Sequence, residues 1–324
     1  MKSMLTAFAV GFALLATPAV SAPAKKGAVA SSGGAPTAAG LLRAAQGRIP
    51  DLLACLRQEK VSLIGAHRGG PIPEFPENAI ATFDRTTSLI PVFLEIDVQQ
   101  TFDEQLFLNH DSVLQRNTVG YGTIGDMRWA QIAPLKLRDQ TGQPTEYTPP
   151  LLLDALKWAD GRALLLLDVK PGTDQALLVK LVREASAEGR VMFLSYTIKQ
   201  ALALRALLPD AVVALPVFDR VGLEAAKTAG LVNNRLLAMT RPDRVDERFV
   251  PELEAAGATV LSGSYGGKES PDGGYRSLAD ARLYQALAEK GARLIASNRP
   301  FEAAAAMMAQ PDYAAKLARC NIKD

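Results

Sequence analysis

Ile64-Gly65-Ala66-His67-Arg68-Gly69-Gly70, Pro76-Glu77-Asn78-Ala79, Leu94-Glu95-Ile96-Asp97 and Leu108-Asn109-His110-Asp111 follow one another in a single span, and the rest of the chain is read from them. Both histidines of the protein lie here. Residues 61–66 and 92–98 are short apolar runs with β-branched members, bounded by Gly and Pro, so each reads as a buried strand. His67 and Arg68 then stand at one strand end, and Glu95 and Asp97 near another. Side chains two apart in a strand share a face. Glu95 and Asp97 can therefore aim two carboxylates at one point while Ile96 packs behind them, which outlines a site for a hard cation. Histidine suits proton transfer near neutral pH, and the planar fork of Arg68 matches phosphate oxygens. The set suggests phosphoryl chemistry.

Further along, residues 162–169 hold an unbroken apolar run that ends in Asp168-Val169-Lys170, so Asp168 and Lys170 face one way. After it the alternation is regular. Strands are expected over 191–195, 211–217, 236–239, 259–261 and 293–296, with helices over 198–208, 221–229, 248–256, 278–290 and 301–308. Such repetition indicates a parallel sheet and favours a closed (β/α)8 TIM barrel, an α/β fold. Counting 105–108 there are nine strand candidates, so one must be short or outside the barrel. His67, Asp97, His110, Lys170 and Ser195 fall at or near strand C-terminal ends, where such barrels carry their active sites.

The four opening segments, in this order and at this spacing, resemble the glycerophosphodiester phosphodiesterase family, one of the phospholipase-C-like phosphodiesterase barrels. The resemblance runs from about Ser62 to Ala305, close in the first half and loose in the second. It implies that Glu95, Asp97 and Asp168 hold one divalent cation, Mg²⁺ or Ca²⁺, and that Arg68, Lys170 and Tyr265 bind substrate. Where the family usually carries Glu-x-Lys this chain has Asp168, one methylene shorter. Tyr265 stands where the family commonly carries a Trp. The resemblance further implies that His67 and His110 exchange protons with a small-molecule phosphodiester, giving glycerol 3-phosphate and an alcohol through a cyclic phosphate. Which histidine is the base is left open.

Plainer readings stand beside these. Glu77 can cap the helix expected over 79–88 or orient Arg68 from behind, with the cap slightly favoured. Asp168 can simply pair with Lys170. The glycine-rich loop 262–275 is either a lid or head-group loop or a flexible connection, and its glycine spacing is not that of a P-loop. Two rival functions remain: a lysophospholipase D or sphingomyelinase D-like phosphodiesterase, which needs a long apolar pocket, and a binding barrel that has lost turnover. Zinc chemistry lacks clustered Cys and His. A serine hydrolase lacks its G-x-S-x-G elbow. A glycosidase built on Glu95 and Asp97 would leave the histidines, Arg68 and Lys170 without roles.

Residues 1–24 have the layout of a secretory signal peptide, with an early Lys2, an apolar run from Leu5 to Leu15 and small residues up to Ala24. That run is too short for a stable membrane anchor. Residues 25–40 read as a disordered linker rich in Ala, Gly and Ser. Residues 41–324 read as one barrel domain, opened by a helix or broken helix over 41–60 that closes its bottom. The formal charge of +2 favours neither a nucleic acid nor a membrane surface as partner. The expected location is periplasmic or secreted. In such an oxidising compartment Cys55 and Cys320 are expected to form a disulfide, because a barrel brings its start and end together. Oligomeric state is not legible.

Overall fold

The computed structural model describes residues 38–320. The leader read over residues 1–24 and the linker up to residue 37 lie outside the described residues, as do residues 321–324. Nine strands are present: β1 (Leu63–Ala66), β2 (Phe93–Gln100), β3 (Leu106–Leu108), β4 (Leu165–Val169), β5 (Val191–Leu194), β6 (Val212–Pro216), β7 (Leu236–Met239), β8 (Thr259–Gly263) and β9 (Leu294–Ser297). Eight of them pair in parallel in the order β1-β9-β8-β7-β6-β5-β4-β2, and the pairing of β1 with β2 closes the ring. The ninth is β3, which runs antiparallel to the C-terminal half of β2, with Val98 opposite Leu108. The surplus strand expected from sequence is thus a short flap that brings His110 back towards the barrel mouth.

The strands are buried on both faces, as parallel sheets wrapped by helices must be; β4, Leu165-Leu166-Leu167-Asp168-Val169, is buried throughout. Helices cover the outside. That over Gln175–Glu184, which went unassigned in sequence, turns Leu178, Val179 and Val182 inward and is capped by Asp174, whose side chain accepts from the amides of Ala176 and Leu177. A closing helix over Tyr313–Arg319 also went unassigned. The stretch downstream of Asp111, Arg128 to Leu135 and the polar run to Pro150, reads from sequence as an insertion with loop character. It does contain long loops, but it folds around its own small core of Phe107, Leu114, Ile124 and Ile132 and includes a short helix at Trp129–Ile132.

The bottom is closed by two helices, Ala38–Ala44 and Ile49–Glu59, the break falling before Pro50. The first begins inside the stretch read as linker. Their apolar residues Leu41, Leu42, Leu52, Leu53 and Leu56 are buried in the main core. Polar contacts fix them to the N-terminal ends of strands: Gln46 Nε2 donates to the carbonyls of Ala159 and Ala163 ahead of β4, and Arg57 donates to Thr259 Oγ1 at the start of β8. Cys55 and Cys320 are joined in a disulfide at the same end, with Cα atoms 5.5 Å apart. No helix among the described residues is long and apolar enough to cross a membrane.

Candidate active site

Beyond β1 the chain turns sharply through His67-Arg68-Gly69. Arg68 (φ 54°), Gly69 (φ 84°) and Gly70 (φ 82°) all lie in the left-handed region. At Gly69 a Cβ would sit 2.2 Å from the Phe83 ring, so both conformation and space demand glycine. The turn aims the Arg68 amide at Glu95 Oε2, 2.9 Å away. A backbone contorted for one hydrogen bond to a buried carboxylate marks the place where the fold accepts strain.

Glu95 and Asp97 on β2 and Asp168 on β4 converge as strand geometry requires, with one oxygen from each within 4.8 Å of the others. All three are buried. Burial, and then the neighbouring charges of Asp97 and Asp168, push the Glu95 carboxyl well above its ordinary range. Asp168 is likewise raised by burial, with Asp97 adding and Lys170 opposing. Asp97 goes the other way: burial acts to raise it, but Lys170, His110 and a hydrogen bond from Asn78 Nδ2 at 2.7 Å outweigh that and hold it low. Lys170 Nζ lies 2.5 Å from Asp168 Oδ2 and 2.7 Å from Asp97 Oδ1. The second approach is outside hydrogen-bond geometry, so Asp97 Oδ1 is a buried oxygen with no hydrogen bond. Three crowded carboxylates against one ammonium, two of them pushed towards the protonated form, are a donor set that a hard divalent cation fits.

The histidines flank this cluster and both line the same pocket. His67 Nδ1 is 2.6 Å from Asn298 Oδ1, just after β9. An amide oxygen can only accept, so Nδ1 donates in this contact, and Nε2 lies 3.8 Å from Glu95 Oε2. Burial, then the charge of Arg68, lowers its basicity. Tyr265 stacks on the ring, centroids 4.7 Å apart and planes 20° apart. His110 Nδ1 instead meets a carboxylate, Asp111 Oδ1, at 2.5 Å. This is the arrangement that orients an imidazole and supports charge developing on it.

Glu77 does not cap the following helix, which starts after Ala79 with no side-chain cap; the cap reading favoured from sequence is corrected. Its Oε2 accepts from Arg68 Nη1 at 2.9 Å and from Arg116 Nη1 at 2.8 Å, while Oε1 accepts from Arg116 Nη2 at 2.6 Å. Two arginines hold a stronger claim on the carboxylate than one helix end does. Arg116, which sequence reading missed, also donates from Nε to Asp111 Oδ2 at 2.6 Å. One chain of contacts therefore runs from His110 through Asp111, Arg116 and Glu77 to Arg68. Arg68 Nε makes no hydrogen bond and lies 4.0 Å from Asp97 Oδ2.

Two neighbours just past β5 play different parts. Ser195, singled out at a strand end, is buried with its Oγ unpartnered. Its neighbour Tyr196 is the one that reaches the cluster, donating to Asp168 at 2.7 and 2.8 Å. The glycine-rich loop 262–275 is pinned from within. Asp272 Oδ1 accepts from Ser264, Tyr284 and Ser297 hydroxyls, and Oδ2 accepts from the amide of Asn298, the residue that holds His67. It is not a slack connection, and through Ser262, Gly263 and Tyr265 it lines the pocket, as a head-group loop would.

The pocket that His67, Arg68, Glu95, His110, Asp168, Lys170 and Tyr265 share has a volume of about 560 Å³ and opens at the C-terminal ends of the strands. Known proteins share the family pattern and the fold. Residues 67–262 match the model of the Glycerophosphoryl diester phosphodiesterase family. A glycerophosphodiester phosphodiesterase of Caldanaerobacter subterraneus subsp. tengcongensis is 32% identical over 143 residues, 42% of this chain and 58% of that protein. The chain thus spans somewhat over half the length of that relative. A crystal structure of a glycerophosphoryl diester phosphodiesterase from Parabacteroides distasonis superposes with a TM-score of 0.72 at 27% identity, covering 80% of this chain and 91% of the other. An Oleispira antarctica phosphodiesterase in complex with the product sn-glycerol-3-phosphate shares the fold, with a TM-score of 0.63 at 22% identity over 77% of this chain and 98% of the other.

Proposed function

The chain belongs to the glycerophosphoryl diester phosphodiesterase family, and from that premise we propose that it hydrolyses glycerophosphodiesters to glycerol 3-phosphate and an alcohol with one divalent cation, Mg²⁺ or Ca²⁺. The observation that carries this is the convergence of both histidines, Arg68, Lys170 and the carboxylates on one pocket. When bound by Glu95, Asp97 and Asp168, the cation would neutralise charge on a phosphate oxygen. Arg68, steadied by Glu77, lines the pocket and presents its guanidinium to a second oxygen.

In the proposed first step His67 Nε2 takes the proton of the glycerol 2-hydroxyl, whose oxygen forms a bond to phosphorus. The bond from phosphorus to the alcohol breaks, and His110 Nε2 protonates the departing oxygen. The partners support this assignment: an amide oxygen accepting from His67 Nδ1 leaves Nε2 as the atom that can take a proton, and a carboxylate behind His110 orients that ring towards the departing oxygen. Water then opens the cyclic phosphate with the two roles exchanged. Because the attacking hydroxyl belongs to the substrate, part of the entropic barrier is removed in advance. At the ~30 Å³ that a water occupies in the liquid, 560 Å³ admits a compact diester, while a long acyl chain would have to leave the pocket. The disulfide supports an exported location.

Release of glycerol 3-phosphate from glycerophosphocholine, abolished by EDTA and restored by Mg²⁺ or Ca²⁺, is the expected result. A diester lacking the 2-hydroxyl should turn over very slowly; cleavage at the parent's rate would exclude the cyclic route.

A further inference from the structure

The pocket has two unlike sides. The side formed after β1, β2 and β4 holds the ionised groups already described. The side formed after β5, β6 and β7 presents Leu194, Tyr196, Phe218, Met239, Arg241 and Pro242. Two of these are exposed rings, Tyr196 at 43% and Phe218 at 42%, where large apolar groups would ordinarily be covered. The Arg241 guanidinium lies over the Phe218 ring, 4.4 Å from its centroid. Among the described residues no carboxylate pairs with it and no hydrogen bond leaves its side chain; the nearby Asp243 pairs instead with Arg244 at 3.8 Å. The reaction as derived gives Arg241 no task.

We propose, resting on the phosphodiesterase reading, that Arg241 selects the alcohol half of the substrate and favours diesters whose alcohol carries a carboxylate over those that carry only an ammonium group. The guanidinium fork matches a carboxylate with two parallel hydrogen bonds. An ammonium group meets the opposite: the Phe218 face that would attract it is already covered by a cation. Stacking on Phe218 also holds the fork in place, so little side-chain freedom is lost when an anion arrives. If Arg241 merely tied the loop after β6 to the loop after β7, its loss would affect every substrate alike.

Glycerophosphoserine and glycerophosphoethanolamine separate these cases, because they differ only by the serine carboxylate. With the metal-replete protein, kcat/KM should be about tenfold higher for the serine diester, the scale of one charge-assisted contact. Arg241→Gln should bring the two values within about twofold of each other, and Arg241→Lys should keep part of the difference. Equal values in the unaltered protein, or a loss in Arg241→Gln that is the same for both diesters, would overturn the selection role alone. No turnover of either diester would overturn the phosphodiesterase reading and this proposal with it.

Discussion

The two ends of the barrel are built on opposite principles. At the C-terminal end Glu95, Asp97, Asp168 and Lys170 are buried together, like charges within 4.8 Å of one another, and Arg68 is held in left-handed backbone. At the N-terminal end two helices bury a row of leucines, Tyr313 donates its hydroxyl to the carbonyl of Ser62 at 3.0 Å, and a disulfide ties Cys55 to Cys320. Crowded buried carboxylates oppose folding, since each loses hydration and repels the next. Apolar burial and a crosslink favour it. The top spends stability on chemistry, and the bottom supplies it.

If that division holds, changes at the top should alter rate with little change in melting, and the largest such change concerns the histidines. His67→Ala and His110→Ala should each lower kcat by ~10²- to 10⁴-fold, the usual worth of a positioned acid or base. The double variant should fall well short of the product of both factors, because the pair works as one unit. Steady-state rates on a glycerophosphodiester, beside melting curves, check this. A histidine variant that melts far lower yet keeps its rate would invert the comparison.

At the other end the expected pattern reverses. The disulfide spans 265 positions in sequence, and closing so long a loop restrains the unfolded chain by about 5–6 kcal/mol in the entropy model, with measured values often smaller. Replacing Cys55 and Cys320 together by Ser should shift the denaturant midpoint substantially and leave kcat of the folded protein as it was. Unfolding in guanidinium chloride and turnover of the same preparation give both numbers. A loss of rate without a loss of midpoint would couple the bottom to the chemistry.

Legibility in the sequence followed the same division. Glu95, Asp97 and Asp168 could be read because a carboxylate inside an apolar run has no plain structural reason to be there, and strand alternation told which faces they share. The barrel could be read because its strands and helices repeat. Arg116, Tyr196, Asn298 and Arg241 could not, since each stands in a loop or just past a strand, where no period says which way a side chain points. Glu77 shows the limit from another angle. Its place just ahead of a helix made a cap plausible, and only the arrival of Arg116 from 39 residues away decided against it. The helix at Gln175–Glu184 was a different kind of miss, because its Asp174 cap and apolar spacing were there to be read.

The smallest effect is the most specific to the top. Asp111 sits between His110 and Arg116; burial acts to raise its carboxyl, but the hydrogen bonds from Arg116 and His110 win and bring it down to about 2 from the ordinary 3.8. A carboxyl lowered in the folded state adds stability that is fully present above its unfolded value and is lost as pH falls through the folded one. The window for Asp111 therefore runs from 3.8 down to about 2. Its Arg116 partner is 46% exposed, so solvent screens the pair and the contribution stays modest. Asp111→Asn should reduce the steepness with which the denaturant midpoint falls across that window. The Cys55 and Cys320 variant should instead lower the midpoint by a similar amount at every pH, because a crosslink does not titrate. Midpoints measured from about pH 5 to pH 2 for the three proteins test the contrast. If the Asp111→Asn curve ran parallel to that of the unaltered protein, the chain of contacts from His110 to Arg68 would contribute nothing to holding the top of the barrel together.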